Sequence, residues 1–248
     1  MATRTAWPQV TPVRERDPSR AAAFRLGFWA AALMVAVAIV FAATAMATPA
    51  RSGPFCSTAC VAPPYTDVAR FIPGDYLWLI PGILLAPIFV ALIACIHAYA
   101  AETEKTFARI ALSFAASYAV VILVDYFVQL TVVVPSLQSG ETQGLSLFTQ
   151  YNPHGFFIAL EVLAYLLMSL AFLTAAPVFT RGRTERTIGW LFGLNFPLAL
   201  AAFIFLWLFR HDLVALEVTV LMINWLVLIV GGTQVSLCSG ALDVRWLA

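Results

Sequence analysis

The sequence predicts an all-α, polytopic membrane protein: a bundle of six transmembrane helices with the N- and C-termini cytoplasmic. Three observations carry that expectation. Hydrophobic residues make up 62% of the 248, only 11% are charged, and the mean hydropathy is +0.89, a composition far from that of a soluble domain. Six apolar stretches each reach the roughly 20 residues that a helix needs to cross a hydrocarbon core about 30 Å thick. Counted over the connections of a six-span chain, basic residues fall eleven on one side and three on the other, and this positive-inside asymmetry puts both termini in the cytoplasm. Arginine supplies 13 of the 14 basic residues, which hints at a GC-rich bacterial genome and so at a bacterial inner (cytoplasmic) membrane. The net charge of +1 offers no basic surface of the size that nucleic-acid binding needs, which removes nucleic acid as a partner.

Residues 1–23 mix Arg4, Arg14, Arg16 and Arg20 with Glu15, Asp17 and three prolines. They leave no apolar face to pack and read as a disordered cytoplasmic tail. The first span, about 24–47, ends in ATAMATPA, which resembles a signal-peptidase site after Ala47. Its apolar run is longer than the usual h-region of about 7–15 residues, which favours a retained anchor. The next connection is rich in proline and turn residues. It carries Cys56 and Cys60 on the side that the charge asymmetry makes oxidising, so a disulfide is expected between them.

The second span, about 75–99, contains Pro81, Gly82 and Pro87, which weaken backbone hydrogen bonds and favour a kink. The third, about 110–134, sets Tyr118, Asp125 and Gln129 in a sector about 40° wide. Residues 135–151 form a long connection, punctuated by Gly140 and Gly144, of the kind that builds lids and ligand rims. The fourth span, about 153–179, is expected to start with Asn152 as N-cap and Pro153 in the first turn. At 100° per residue His154, Glu161, Tyr165 and Phe172 then share one face of that helix. The fifth span, about 188–209, carries Asn195 and Pro197. A tight turn through Arg210, His211 and Asp212 leads to the sixth, about 213–232, with Glu217, Asn224 and Gly231 at heptad spacing, and 238–248 reads as a short cytoplasmic tail.

Topology turns these positions into depths. Asp125 and Glu161 each fall about 12–14 Å inside the outer edge, Glu217 about one turn inside it, and Asp75, His154, His211 and Asp212 at the rim. Ionisable groups at such depth are costly and mark pathways for ions, protons or substrates, and no arginine or lysine lies deep in any span to neutralise them. An outward-opening polar cavity between the third, fourth and sixth spans would satisfy Asp125 and Glu161 as proton or cation sites. His154, Tyr165 and Glu217 would be ligand contacts, with Tyr118, Gln129 and Asn224 as supporting partners. The plainer account is that each polar residue bonds across its own helix pair, and for Gln129, Asn195 and Asn224 that account is favoured.

A metal is not expected, because His154 and Glu161 are about 10 Å apart along one helix and no spaced ligand motif occurs. No P-loop, GxSxG or dinucleotide fingerprint points to a cofactor. The chemistry therefore points to a proton- or cation-coupled carrier or small-ligand-binding membrane protein. An intramembrane enzyme using Glu161 and Asp125 as acid and base on a lipid-like substrate, or an assembly subunit of a membrane complex, is the alternative. Its expected partners are the bilayer, a small ligand or proton, and a second copy or another membrane subunit.

Overall fold

The computed structural model describes residues 18–48 and 60–247, and among them every regular element is a helix. Six segments are long and apolar enough to cross a membrane: Ala22–Ala45, Gly74–Tyr99, Lys105–Gln138, Phe156–Val178, Arg183–Phe209 and Leu213–Cys238. They fit an integral, multi-pass membrane protein. The helices are α1 (Pro18–Ala45), α2 (Leu79–Tyr99), α3 (Lys105–Val128), the short α4 (Val134–Gln138), α5 (Phe156–Ala175), α6 (Arg183–Phe203) and α7 (Leu213–Leu247). A π turn, Gln129–Val133, joins α3 to α4 in one continuous span, and a second, Ile204–Phe209, prolongs α6.

Short connections make sequence neighbours antiparallel neighbours in space. α1 packs on α2, α2 on α3, α3 on α5, α5 on α6, α6 on α7, and α7 returns to α1 to close a ring. α5 also reaches across that ring to α7. Over their most apolar windows 56% of the residues of the α2 and α5 spans are buried, against 17% for the α6 span. Two glycines allow close approaches. A Cβ on Gly82 would lie 2.5 Å from the Tyr126 ring, and one on Gly232 would lie 2.8 Å from Met34 and 2.9 Å from Val35. The first lets the Tyr126 ring of α3 rest on the backbone of α2, and the second brings α7 against α1.

Several boundaries differ from those expected, each for a local reason. α1 starts at Pro18, because proline is tolerated in a first helical turn whose N–H groups have no intrahelical partner. The expected disordered tail is therefore helical from residue 18, and its residues 1–17 lie outside the described residues. Cys56 also lies outside them, and with it the expected Cys56–Cys60 disulfide. α7 continues to Leu247, so 238–247 extends the last helix. α2 begins at Leu79, which leaves Pro81 in a first turn where its missing N–H costs nothing.

The start of α5 is the sharpest correction. It begins at Phe156 with Gly155 as its N-cap, not at Asn152–Pro153. The Asn152 Oδ1 instead accepts the backbone N–H of His154 at 3.0 Å, and its Nδ2 donates to the Ser146 carbonyl at 2.7 Å. Closing a local turn two residues on is the common alternative to capping for asparagine.

Candidate functional site

α5 carries the centre of the site. Glu161, Tyr165, Met168 and Phe172 follow one another at helical spacing and are all buried. Glu161 Oε1 accepts a hydrogen bond from the Tyr126 hydroxyl of α3 at 2.9 Å. One turn along, the Tyr165 hydroxyl accepts from Trp225 Nε1 of α7 at 3.3 Å. Below that, Ser169 donates to Asn224 Oδ1 at 3.1 Å, while Asn224 Nδ2 donates to the Val220 carbonyl at 3.0 Å. Asn224 is thus an interhelical tie between α5 and α7, and Tyr118 is packed edge-on against Phe89 at 5.4 Å, beside Tyr165. Asn195 reaches the Ile223 carbonyl at 3.5 Å.

Glu161 and Glu217, each 2% exposed, line one cavity of about 190 Å³ near the end of the bundle where α1 finishes and α7 begins. Its other walls are largely aromatic: Phe41 of α1, Trp78 ahead of α2, Phe157 of α5 and Trp225 of α7. Their rings are mutually packed. Phe41 lies 4.8 Å from Trp225 and 5.4 Å from Trp78, and Trp78 meets Tyr126 edge-on at 5.2 Å and Phe157 at 5.9 Å. Tyr126 stacks on Phe157 at 6.2 Å, which aims its hydroxyl at Glu161.

The connection expected to be a rim closes this end. Gln129 Nε2, in the π turn, donates to the Phe148 carbonyl at 2.6 Å. Gln150 Nε2 donates to the Asp75 carbonyl at 3.1 Å, and the Tyr151 hydroxyl donates to Asp75 Oδ2 at 2.6 Å. Gln150 and Tyr151 also line the cavity. Asp75, expected at an open rim, is 3% exposed beneath them.

The structure brings together some of the expected residues and separates others. Glu161 and Glu217 share the cavity. Asp125 is buried but does not line it, and its Oδ2 has no hydrogen-bond partner. It sits close enough to Glu217 for their charges to interact. Consecutive residues of a helix diverge by 100°, and it is Tyr126, not Asp125, that presents its side chain to Glu161. The cavity therefore lies between α1, α5, α7 and Trp78 just ahead of α2, and α3 contributes through the Tyr126 hydroxyl. His154 lies outside α5 and is exposed, so it does not share a helical face with Glu161. Asp212 Oδ1 accepts the Ala215 N–H at 2.9 Å and caps α7.

Sequence reasoning missed the aromatic walls. Trp78 lies near the end of its apolar span, where tryptophan is ordinarily an interfacial anchor, whereas Tyr126 and Trp225 lie well inside theirs. Their convergence from separate helices has no signature along the chain. No protein-family model, curated protein or solved structure matches the chain.

Proposed function

We propose that the Glu161–Glu217 cavity is a cation or proton site, and that the protein is a proton- or cation-coupled carrier or ligand-binding protein of a bacterial inner membrane. The observation that supports this is the pair of buried carboxyl groups lining one cavity within two apolar spans. Carboxyl groups held in hydrocarbon favour a cationic or protonic counterpart. The Tyr126 hydroxyl orients Glu161, and Tyr165 with Trp225 braces the wall between α5 and α7.

With the basic asymmetry setting both termini in the cytoplasm, the cavity lies in the outer half of the bilayer. Reporter fusions at residues 60 and 140 are expected to read outside, and at 105 and 184 inside. An inside reading at 140 reverses the direction of access. The function is tested by reconstituting the chain in liposomes and following cation-dependent proton flux with an entrapped pH-sensitive dye. Glu161→Gln and Glu217→Gln are each expected to abolish the flux. Flux that survives both substitutions, or that the wild-type protein lacks, overturns the reading.

A further inference from the structure

We infer that residues 145–155 are a hinged lid between the Glu161–Glu217 cavity and the water at that end of the bundle, opening and closing about the start of α5 while the bundle stays folded. This rests on the reading of the cavity as a binding site and adds its gate toward water.

The lid is a single piece because it bonds to itself. The Phe148 and Thr149 N–H groups both donate to the Leu145 carbonyl at 3.0 Å, the Asn152 N–H donates to the Thr149 carbonyl at 3.2 Å, and the Gly155 N–H donates to the Asn152 carbonyl at 3.0 Å. The Asn152 side chain ties back to the Ser146 carbonyl. Gly155 packs so closely on the Leu147 carbonyl that a Cβ would come within 2.8 Å of it. A compact loop held by its own contacts moves as a unit.

Its two ends differ. On one side residues 139–144 are all exposed, and Gly140 and Gly144 both stand at φ +74° with nothing within 4 Å of where a Cβ would be, so this tether can change shape without disturbing any packing. On the other side the piece runs directly into α5, with Phe148 stacked on Phe156 at 5.6 Å. A loose tether and a fixed pivot at the end of an element are what a hinge requires.

The lid's inward edge is a polar plug. Thr149, Gln150 and Tyr151 are all buried, and the last two form part of the cavity wall. Gln129 fastens the plug at the Phe148 carbonyl, and Asp75 fastens it through its own carbonyl to Gln150 and through Oδ2 to Tyr151. The two fastening side chains are only half satisfied. Gln129 uses Nε2 and leaves Oε1 buried without a hydrogen-bond partner, and Asp75 uses Oδ2 and leaves Oδ1 in the same condition. A buried polar oxygen without a donor is penalised. Water admitted by an open lid solvates both oxygens and offsets the bonds that opening breaks. A plug of hydrocarbon would gain nothing from that water and would stay shut.

The test places one new cysteine at a time in the full-length chain in lipid nanodiscs, adds a charged, membrane-impermeant methanethiosulfonate, and locates the modified thiol by peptide mass spectrometry. Thr149→Cys lies under the lid, Ser146→Cys on its exposed face, and Ser169→Cys is fully buried in α5. Thr149→Cys is expected to react more slowly than Ser146→Cys but at least about ten-fold faster than Ser169→Cys, because only the lid opens. Tyr151→Phe, which removes a fastening and leaves both Asp75 oxygens without that donor, is expected to raise the Thr149→Cys rate about ten-fold and to leave Ser169→Cys unreactive. Thr149→Cys as unreactive as Ser169→Cys, or indifferent to Tyr151→Phe, overturns the inference. A parallel rise at Ser169→Cys shows general loosening of the bundle and overturns it too. A lid that opens as expected in a protein without cation-dependent flux keeps the lid and removes the carrier reading. Flux in a protein whose Thr149→Cys never reacts removes the lid alone.

Discussion

Among the described residues two tyrosine–glutamate hydrogen bonds stand toward opposite ends of the bundle, and their surroundings set them apart. In the first, Tyr99 at the end of α2 donates to Glu185 Oε1 in the first turn of α6 at 2.7 Å. Glu185 Oε2 accepts the Arg181 N–H at 2.7 Å, and the Arg181 guanidinium lies 5.8 Å from the Tyr99 ring. A carboxylate at a helix N-terminus, beside a backbone donor and an arginine, is stabilised where it stands. The cavity next to it is only about 50 Å³. In the second, Tyr126 donates to Glu161 at 2.9 Å, but both are buried between apolar helices, and the space beside them is about 190 Å³ and holds a second glutamate. The same bond fastens a helix end in the first pair and borders a larger cavity in the second.

That contrast can be broken from its stronger side first. Glu161→Ala is expected to lower stability by about 2–4 kcal/mol, through a new void and a buried Tyr126 hydroxyl left without its acceptor. Glu161→Gln keeps an accepting oxygen and should stay within about 1 kcal/mol of wild type. Thermal unfolding in detergent compares the two, and equal losses would make Glu161 a charged structural partner instead of a site residue. Next, Gly82→Ala pushes a methyl group into the Tyr126 ring and is expected to cost about 1–3 kcal/mol. It should also depress flux by displacing the phenol, and a variant that unfolds earlier yet transports normally would detach Tyr126 from function. Tyr126→Phe is expected to cost about 1 kcal/mol and to reduce cation binding measurably by calorimetry. Smallest of all, Tyr99→Phe removes the latch at a helix end and should cost less than about 1 kcal/mol, with flux unchanged. Flux lost in Tyr99→Phe would mean that the two ends are coupled.

The six spans were legible because crossing a bilayer demands a long apolar run, a property of consecutive residues. Helix ends were less legible, since they depend on local competition: Asn152 closes a turn rather than capping α5, and Lys105 starts α3 ahead of its apolar stretch. In the site, Glu161 and Glu217 stood out because acids in apolar helices are conspicuous at any position. Asp125 stood out for the same reason, yet the sequence could not show that its neighbour Tyr126 would be the one to reach Glu161. Facing relationships come from packing: Gly82 admits the Tyr126 ring against α2, and four helices and the turn ahead of α2 each place one aromatic residue at the same spot.

The thin engagement of α6 has an evolutionary consequence. Trp190, Leu194, Leu198, Phe205 and Phe209 are 69%, 49%, 54%, 55% and 71% exposed, so the described chain constrains their shape only in part and the surrounding hydrocarbon asks only that they be greasy. Such positions exchange freely among leucine, phenylalanine, valine and isoleucine, and drift accumulates there without touching the ring. α2 and α5, gripped by neighbours along much of their length, tolerate far fewer exchanges. Divergent descendants of this chain would therefore stay recognisable along α5 and lose their resemblance first along α6.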